Sequence, residues 1–269
     1  MKIFQFSLKD ERGWLLLWSA GIVLVVSFII SLYPALGETF GEMIRSFVDK
    51  TSMIKGFIGL YAPLMVGRSY FDLWLCMEFF SYFGVLVGFY PVIYATGVIS
   101  GDLERGTLEM LLAQPVSRRR VLVEKFAALL LILLLLCIVG YASLVGATAL
   151  WVQERASFLE YAYIFLNNYF LLLALAGISF FCATLLNEQR PALGLSIGVI
   201  LVSFILNKGL SGAGIALWLA RLTPFFYADA TKILTTGQIH WGDNLVLAAV
   251  GTVFFALALI IFQRKDIAD

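Results

Sequence analysis

The residues best suited to do chemistry in this sequence are gathered between Ser100 and Lys125, in SGDLERGTLEMLLAQPVSRRRVLVEK. Asp102, Glu104, Arg105 and Glu109 supply charge to a stretch whose Leu103, Leu108, Leu111 and Leu112 recur at helical spacing. Asp102 is expected to cap that helix, Pro115 to end it for want of an N–H, and Ser117 to cap the next. A short amphipathic helix can dock into a groove on a soluble partner or lie flat on a bilayer, and the residue types alone leave both open. The triplet Arg118, Arg119 and Arg120 suits anionic lipid head groups on the cytoplasmic side, where juxtamembrane cations are favoured. The chemistry of this stretch is therefore recognition.

Catalytic patterns are missing elsewhere in the sequence. No G-x-x-x-x-G-K-[ST] loop occurs, so the chain does not cradle ATP by that device. His240 is the sole histidine and lacks the H-E-x-x-H pattern of a metalloprotease, so a surface or interfacial role is expected for it. Cys76, Cys137 and Cys182 lie in or beside apolar segments without C-x-x-C spacing, which predicts neither a disulfide framework nor a zinc site. Asp72 and Glu78 stand at the outer end of an apolar run, where a hydrogen-bonded boundary role is expected. The net charge of +1 argues against a nucleic-acid binder, which would show a basic excess on one surface.

The elements that hold the charged stretch are read from hydropathy. Hydrophobic residues make up 61% of 269 and charged ones only 14%, too apolar for a soluble core, so an integral membrane protein is predicted. One membrane domain, 1–269, is expected, with spans at about 14–36, 79–99, 126–151, 161–186, 191–206 and 245–262 and the charged loop at 100–125. The first apolar run is too long for a signal-peptide core and lacks a small-x-small cleavage site, which predicts an uncleaved span. Ahead of it, Ile3, Phe4, Phe6 and Leu8 alternate with Lys2, Lys9 and Arg12, as in a helix lying in the interface plane.

Further expectations concern individual segments. Residues 37–68 mix charge with Met and Phe and predict one or two surface helices, with a re-entrant segment near 54–66. Gly84 and Gly88 predict close helix approach within the chain, and Gly194 and Gly198 a second such face. The Leu-rich first half of the third span is expected to face lipid. Pro191 fits the first turn of the fifth span, and 207–243 is expected to hold short re-entrant or surface helices. Eleven Lys and Arg residues fall on the side shared by both ends and the 100–125 loop, against eight on the other, which predicts both termini in the cytoplasm.

Glu104, Gly106, Thr107, Leu108, Leu111, Leu112, Pro115, Val116, Ser117, Arg118 and Lys125 together resemble the E-x-G-T-L-x-x-L-L-x-x-P-V-S-R loop of type 2 ATP-binding-cassette transporter permeases. The match is specific in this loop, and elsewhere it rests on six apolar segments and an amphipathic start. The resemblance implies an all-α integral membrane protein with six spans, an N-terminal elbow helix and a cytoplasmic coupling helix between spans two and three. It implies contact with an ATPase subunit through Asp102, Leu103, Glu104, Gly106, Thr107, Leu108, Leu111, Leu112 and Pro115, with Arg118, Arg119 and Arg120 as a cytoplasmic anchor. ATP and Mg would be bound by that subunit, with no cofactor in this chain. A second permease copy, or a related permease, and the lipid bilayer complete the implied partners. LSGAG at 210–214 resembles the signature loop of the ATPases but has no phosphate-binding partner in the chain, and is read as chance.

An ATP-driven permease of the cell membrane, exporting its cargo, is thus the expected function. Two alternatives stand beside it. An ATP-independent secondary transporter or channel should carry ionisable or unwound midplane residues, which the spans lack. A non-transporting anchor would recruit a partner through the loop and move no cargo.

Overall fold

A computed structural model describes residues 2–50, 68–106, 117–152, 156–210 and 217–264. Among them, six helices are long and apolar enough to cross a membrane: Arg12–Gly37, Tyr70–Glu104, Arg118–Trp151, Phe158–Leu185, Gln189–Gly209 and Trp241–Arg264, taken below as the first to sixth spans. The helix Lys2–Asp10 precedes them. Leu217–Ala220, a 3-10 turn Pro224–Tyr227 and the helix Ala230–Thr236 lie between the fifth and sixth spans. No strand occurs among the described residues, and the chain is an all-α membrane protein.

Local chemistry sets several helix ends. The Ser117 hydroxyl accepts the Arg120 N–H at 3.3 Å and caps the third span, as its sequence position predicts. Pro191 sits in the first turn of the fifth span, where its missing N–H has no partner to lose. Other boundaries differ from the hydropathy reading. The first helix continues through Pro34 to Lys50, beyond the expected end near 36. The expected re-entrant segment near 54–66 lies outside the described residues.

The second span starts at Tyr70, nine residues ahead of the expected window, with Ser69 as its N-cap and a buried carboxylate, Asp72, in its first turn. Ser69 Oγ accepts the Asp72 N–H at 3.2 Å, and the Tyr161 hydroxyl donates to Asp72 Oδ1 at 2.7 Å. The first bond caps the helix, and the second helps make a buried acid tolerable in an apolar bundle. Beside them Arg68 clasps Glu160 through two hydrogen bonds of 2.8 and 3.1 Å.

The fourth span is the hub, packed against the second, third, fifth and sixth. Seventy-two per cent of the apolar window is buried in the second and fourth spans, against 17–22% in the first, fifth and sixth, so the latter three form the periphery of the single chain. Gly84 and Gly88 face the hub as predicted: a Cβ would stand 2.5 Å from Leu171 Cδ2 at the first and 2.7 Å from Leu175 Cδ1 at the second. Gly177 and Gly251 bring the fourth and sixth spans closest, and a Cβ on Gly177 would fall 2.2 Å from the Gly251 carbonyl oxygen.

One packing expectation is corrected and another finds no partner among the described residues. Gly194 and Gly198 have nothing within 4 Å of an added Cβ there. The Leu-rich half of the third span divides between two environments: Leu129, Leu133 and Leu136 are fully buried, while Leu131, Leu134 and Leu135 are exposed. A helix crossing beside the hub buries one stripe only, and a run of leucines conceals which stripe that is.

A candidate coupling site at the end of the second span

The second span closes with a π-helical turn, Gly97–Gly101, followed without a break by Asp102–Glu104. Such turns widen the helix and re-aim the side chains after them. Ser100 uses the change to donate from Oγ to the Ala183 carbonyl at 2.9 Å, tying the turn to the end of the fourth span. Gly101 lies against Gln189, whose Oε1 would stand 2.8 Å from an added Cβ. Gly106 adopts φ +69°, the left-handed conformation in which glycine ends a helix, and its N–H bonds to the Leu103 carbonyl at 3.0 Å.

Asp102 lies in the last described turn of the second span, Asp102–Glu104, and the loop helix it is expected to cap lies mostly outside the described residues. Its carboxylate pairs with the Lys125 ammonium at 2.6 Å. Lys125 Nζ also donates to the Val98 carbonyl at 2.9 Å, and the Tyr94 hydroxyl donates to the Lys125 carbonyl at 3.1 Å. With Lys125 only 7% exposed, these bonds bind the second and third spans in a dry setting where a charge needs its partner.

Glu104 reaches a third element. Its Oε2 accepts the backbone N–H of Gln189 at 3.0 Å, at the first turn of the fifth span. Four N–H groups there lack helical partners and carry the positive end of the helix dipole, so a carboxylate is favoured. Arg105 adds a longer, exposed hydrogen bond to Gln189 Oε1 at 3.4 Å. Leu103 packs at the edge of the apolar core. Thr107, Leu108, Leu111, Leu112 and Pro115 lie outside the described residues.

Of the three arginines expected to meet lipid, Arg119 is exposed and Arg118 half-buried. Arg120 has another use: its Nε donates to Glu124 Oε1 at 2.8 Å, while Glu124 Oε2 accepts the Phe4 N–H at 3.1 Å. The helix Lys2–Asp10 is thereby docked on the start of the third span. Its other end is held by the Tyr90 hydroxyl, which donates to Glu11 Oε2 at 2.9 Å, with Trp18 edge-on to the Tyr90 ring. Burial pushes the Glu11 carboxyl above its ordinary range, and the Tyr90 hydrogen bond offsets part of that rise.

Gln189 joins Asp102, Glu104 and Lys125, which the sequence reading had singled out, to form one node, and Glu124 and Glu11, which it had not, seat the N-terminal helix. Pro191 signalled a helix start, and a helix start signals a place for an anion. Nothing in the local sequence says that the anion stands 85 residues earlier. The node holds no nucleophile poised beside a base, and its capacity is mechanical: the same three residues, Ser100, Asp102 and Glu104, fasten one turn to the fourth, third and fifth spans.

Six apolar helices, the fourth of them a buried hub, with the second to fifth fastened at one end by this node, define a multi-pass all-α membrane protein. Over residues 1–267 the chain matches the family described as ABC-2 family transporter protein, and it belongs to that family. It is also similar to the uncharacterized protein YhcI of Bacillus subtilis (strain 168), at 24% identity over 226 residues, covering 74% of this chain and 70% of that protein. Family membership makes it a permease subunit of an ABC transporter, with an ATPase partner implied.

Proposed function

We propose that this chain is the membrane-spanning subunit of an ATP-driven exporter of the cell membrane, with both termini in the cytoplasm. A separate ATPase subunit binds ATP and Mg, hydrolyses the nucleotide and docks on the loop that begins at Asp102. A second permease, identical or related, completes the membrane part. The carrying observation is the bond from Glu104 to the Gln189 N–H, which fastens the loop's first residues to the fifth span. With Asp102 held by Lys125, a push on the loop moves the ends of the second, third and fifth spans together. An isolated amphipathic helix lying on lipid would need no such fastening.

The test is co-purification of the chain with its ATPase subunit in detergent, native against Glu104→Arg with Gly106→Leu. Loss of the ATPase from the variant alone, with the spans still folded, supports docking at this loop. Absence of association for both chains in stable preparations overturns it in favour of an ATP-independent transporter.

A further inference from the structure

Between the first and second spans runs a slot of about 390 Å³. Trp14, Trp18, Gly21 and Val25, at i, i+4, i+7 and i+11 on one face of the first span, form one wall. Phe79, Phe83 and Val87, at i, i+4 and i+8 of the second span, form the other. Among the described residues no charged side chain lines it, and the two indoles carry the only side-chain hydrogen-bonding groups. The walls are held from behind: Trp18 stands edge-on to Tyr90 at 5.8 Å, and Phe83 edge-on to Phe165 of the fourth span at 5.0 Å. Nothing among the described residues lies within 4 Å of a Cβ added to Gly21, so the slot is open where that glycine faces it.

The dimensions choose the occupant. Trp14 to Val25 rise about 16 Å along the helix, and half of a bilayer's hydrocarbon core is about 15 Å. The slot therefore begins beside the membrane edge, where Arg12 opens the span, and ends near the midplane. A helix of that length, about 10 Å across, would take roughly 1,200 Å³, about three times the space. Water has too few polar partners between such walls. An unfilled slot forfeits the dispersion contacts of its lining, and a lipid tail, as apolar as leucine, restores them.

The mouth carries both signs of charge. Lys9 and Arg12 are exposed beside an exposed Asp10, and Glu11 accepts the Tyr90 hydroxyl. It does not sort head groups by charge, so recognition rests on the chain.

We infer that this slot holds one acyl chain of a membrane phospholipid, from the leaflet that meets the N-terminal helix, with the tip of the chain beside Val25 and Phe79. Such a chain lies against Trp18, which packs on Tyr90, the residue that holds Glu11. The site belongs to the single chain and stands independently of the coupling role of the 100–125 loop.

The full chain, reconstituted in phosphatidylcholine vesicles, is irradiated with phosphatidylcholine carrying a diazirine either at the tip of one acyl chain or near its glycerol end, and the labelled residues are mapped by mass spectrometry. Phe79, Phe83 and Val87 are 4%, 2% and 1% exposed, whereas a lipid on the outer surface reaches the exposed Leu24 and Phe28. The tip probe should label Phe79 and Phe83, and the glycerol-end probe Trp18 and Val87. Gly21→Phe fills the slot and should abolish labelling of Phe83 while Phe28 stays labelled. Gly146→Phe, at an exposed position of the third span with nothing within 4 Å of its Cβ, should label as native does. A native chain labelled at Leu24 and Phe28 but at none of the three buried positions overturns the site even if Gly21→Phe fails to fold, and a second copy seated over the slot would give that result. Labelling of Phe83 that persists in a folded Gly21→Phe overturns it too. The reverse depth order of the two probes overturns the assignment of the leaflet.

Discussion

Glu104 Oε2 sits 3.0 Å from the backbone nitrogen of Gln189, so the last turn of the second span caps the first turn of the fifth. Glu104→Ala should leave the chain folded, since the bond is exposed and a lost cap costs about 1 kcal/mol. If the coupling reading holds, ATPase stimulation by cargo should fall several-fold while the ATPase stays bound. Glu104→Gln keeps an acceptor and should retain most of the stimulation. Measuring ATP turnover in sealed vesicles with and without cargo separates the two variants.

Lys125 is nearly buried and its partner Asp102 half-buried, with side chains 9% and 30% exposed. Lys125→Met removes the ammonium partner and should cost about 1–3 kcal/mol, less than a fully buried pair because solvent reaches the carboxylate. Asp102→Asn in the same chain should recover part of that loss. A double-mutant cycle read by thermal unfolding in detergent gives the coupling; additive effects would mean the pair contributes nothing.

Gly177 and Gly198 predict opposite outcomes for one substitution. Gly177→Ala drives a Cβ into the Gly251 carbonyl and should cost at least the 1–3 kcal/mol typical of overpacking. Gly198→Ala meets open space and should be neutral or stabilising by up to about 1 kcal/mol through helix propensity. Melting of the two variants side by side checks the packing of the hub.

Glu11 makes the docking of the N-terminal helix sensitive to pH. Its folded carboxyl lies above the ordinary 4.5, so within that window the native state holds more protons than the unfolded one. Stability should therefore fall as pH rises from 4.5 through the folded value, and Glu11→Gln should flatten that part of the profile. A native profile that rises over the same window, relative to the variant, contradicts the assignment.

Residue patterns alone carried the fold class far and the site only partway. Six long apolar runs can be satisfied in a bilayer only as helices, so the count was legible. Gly84 and Gly88 gave a correct contact, whereas Gly194 and Gly198, at the same spacing, meet nothing among the described residues. Spacing reports that a close approach is allowed, and only a partner makes it happen. Asp72 delayed the apparent start of the second span because hydropathy charges a buried acid in full and cannot see the Tyr161 hydroxyl that serves it.

The charged loop shows the same division. Ser117 caps its helix through a bond to a residue three positions on, a local event the sequence can announce. Asp102, Glu104 and Glu124 act on partners in other helices, at separations of 23, 85 and 120 residues. Gly106 carried a readable stop signal, but in a stretch of recurring leucines it was absorbed into a continuing helix.

The clasp between Phe4 and Glu124 has a consequence for the order in which the protein is made. The helix Lys2–Asp10 is translated ahead of its acceptor, which follows 120 residues later, after two spans have been delivered to the bilayer. Until Glu124 is made, the Phe4 N–H lacks that acceptor. Seating of this helix on Glu124 thus waits for the third span and marks that it has arrived beside the first.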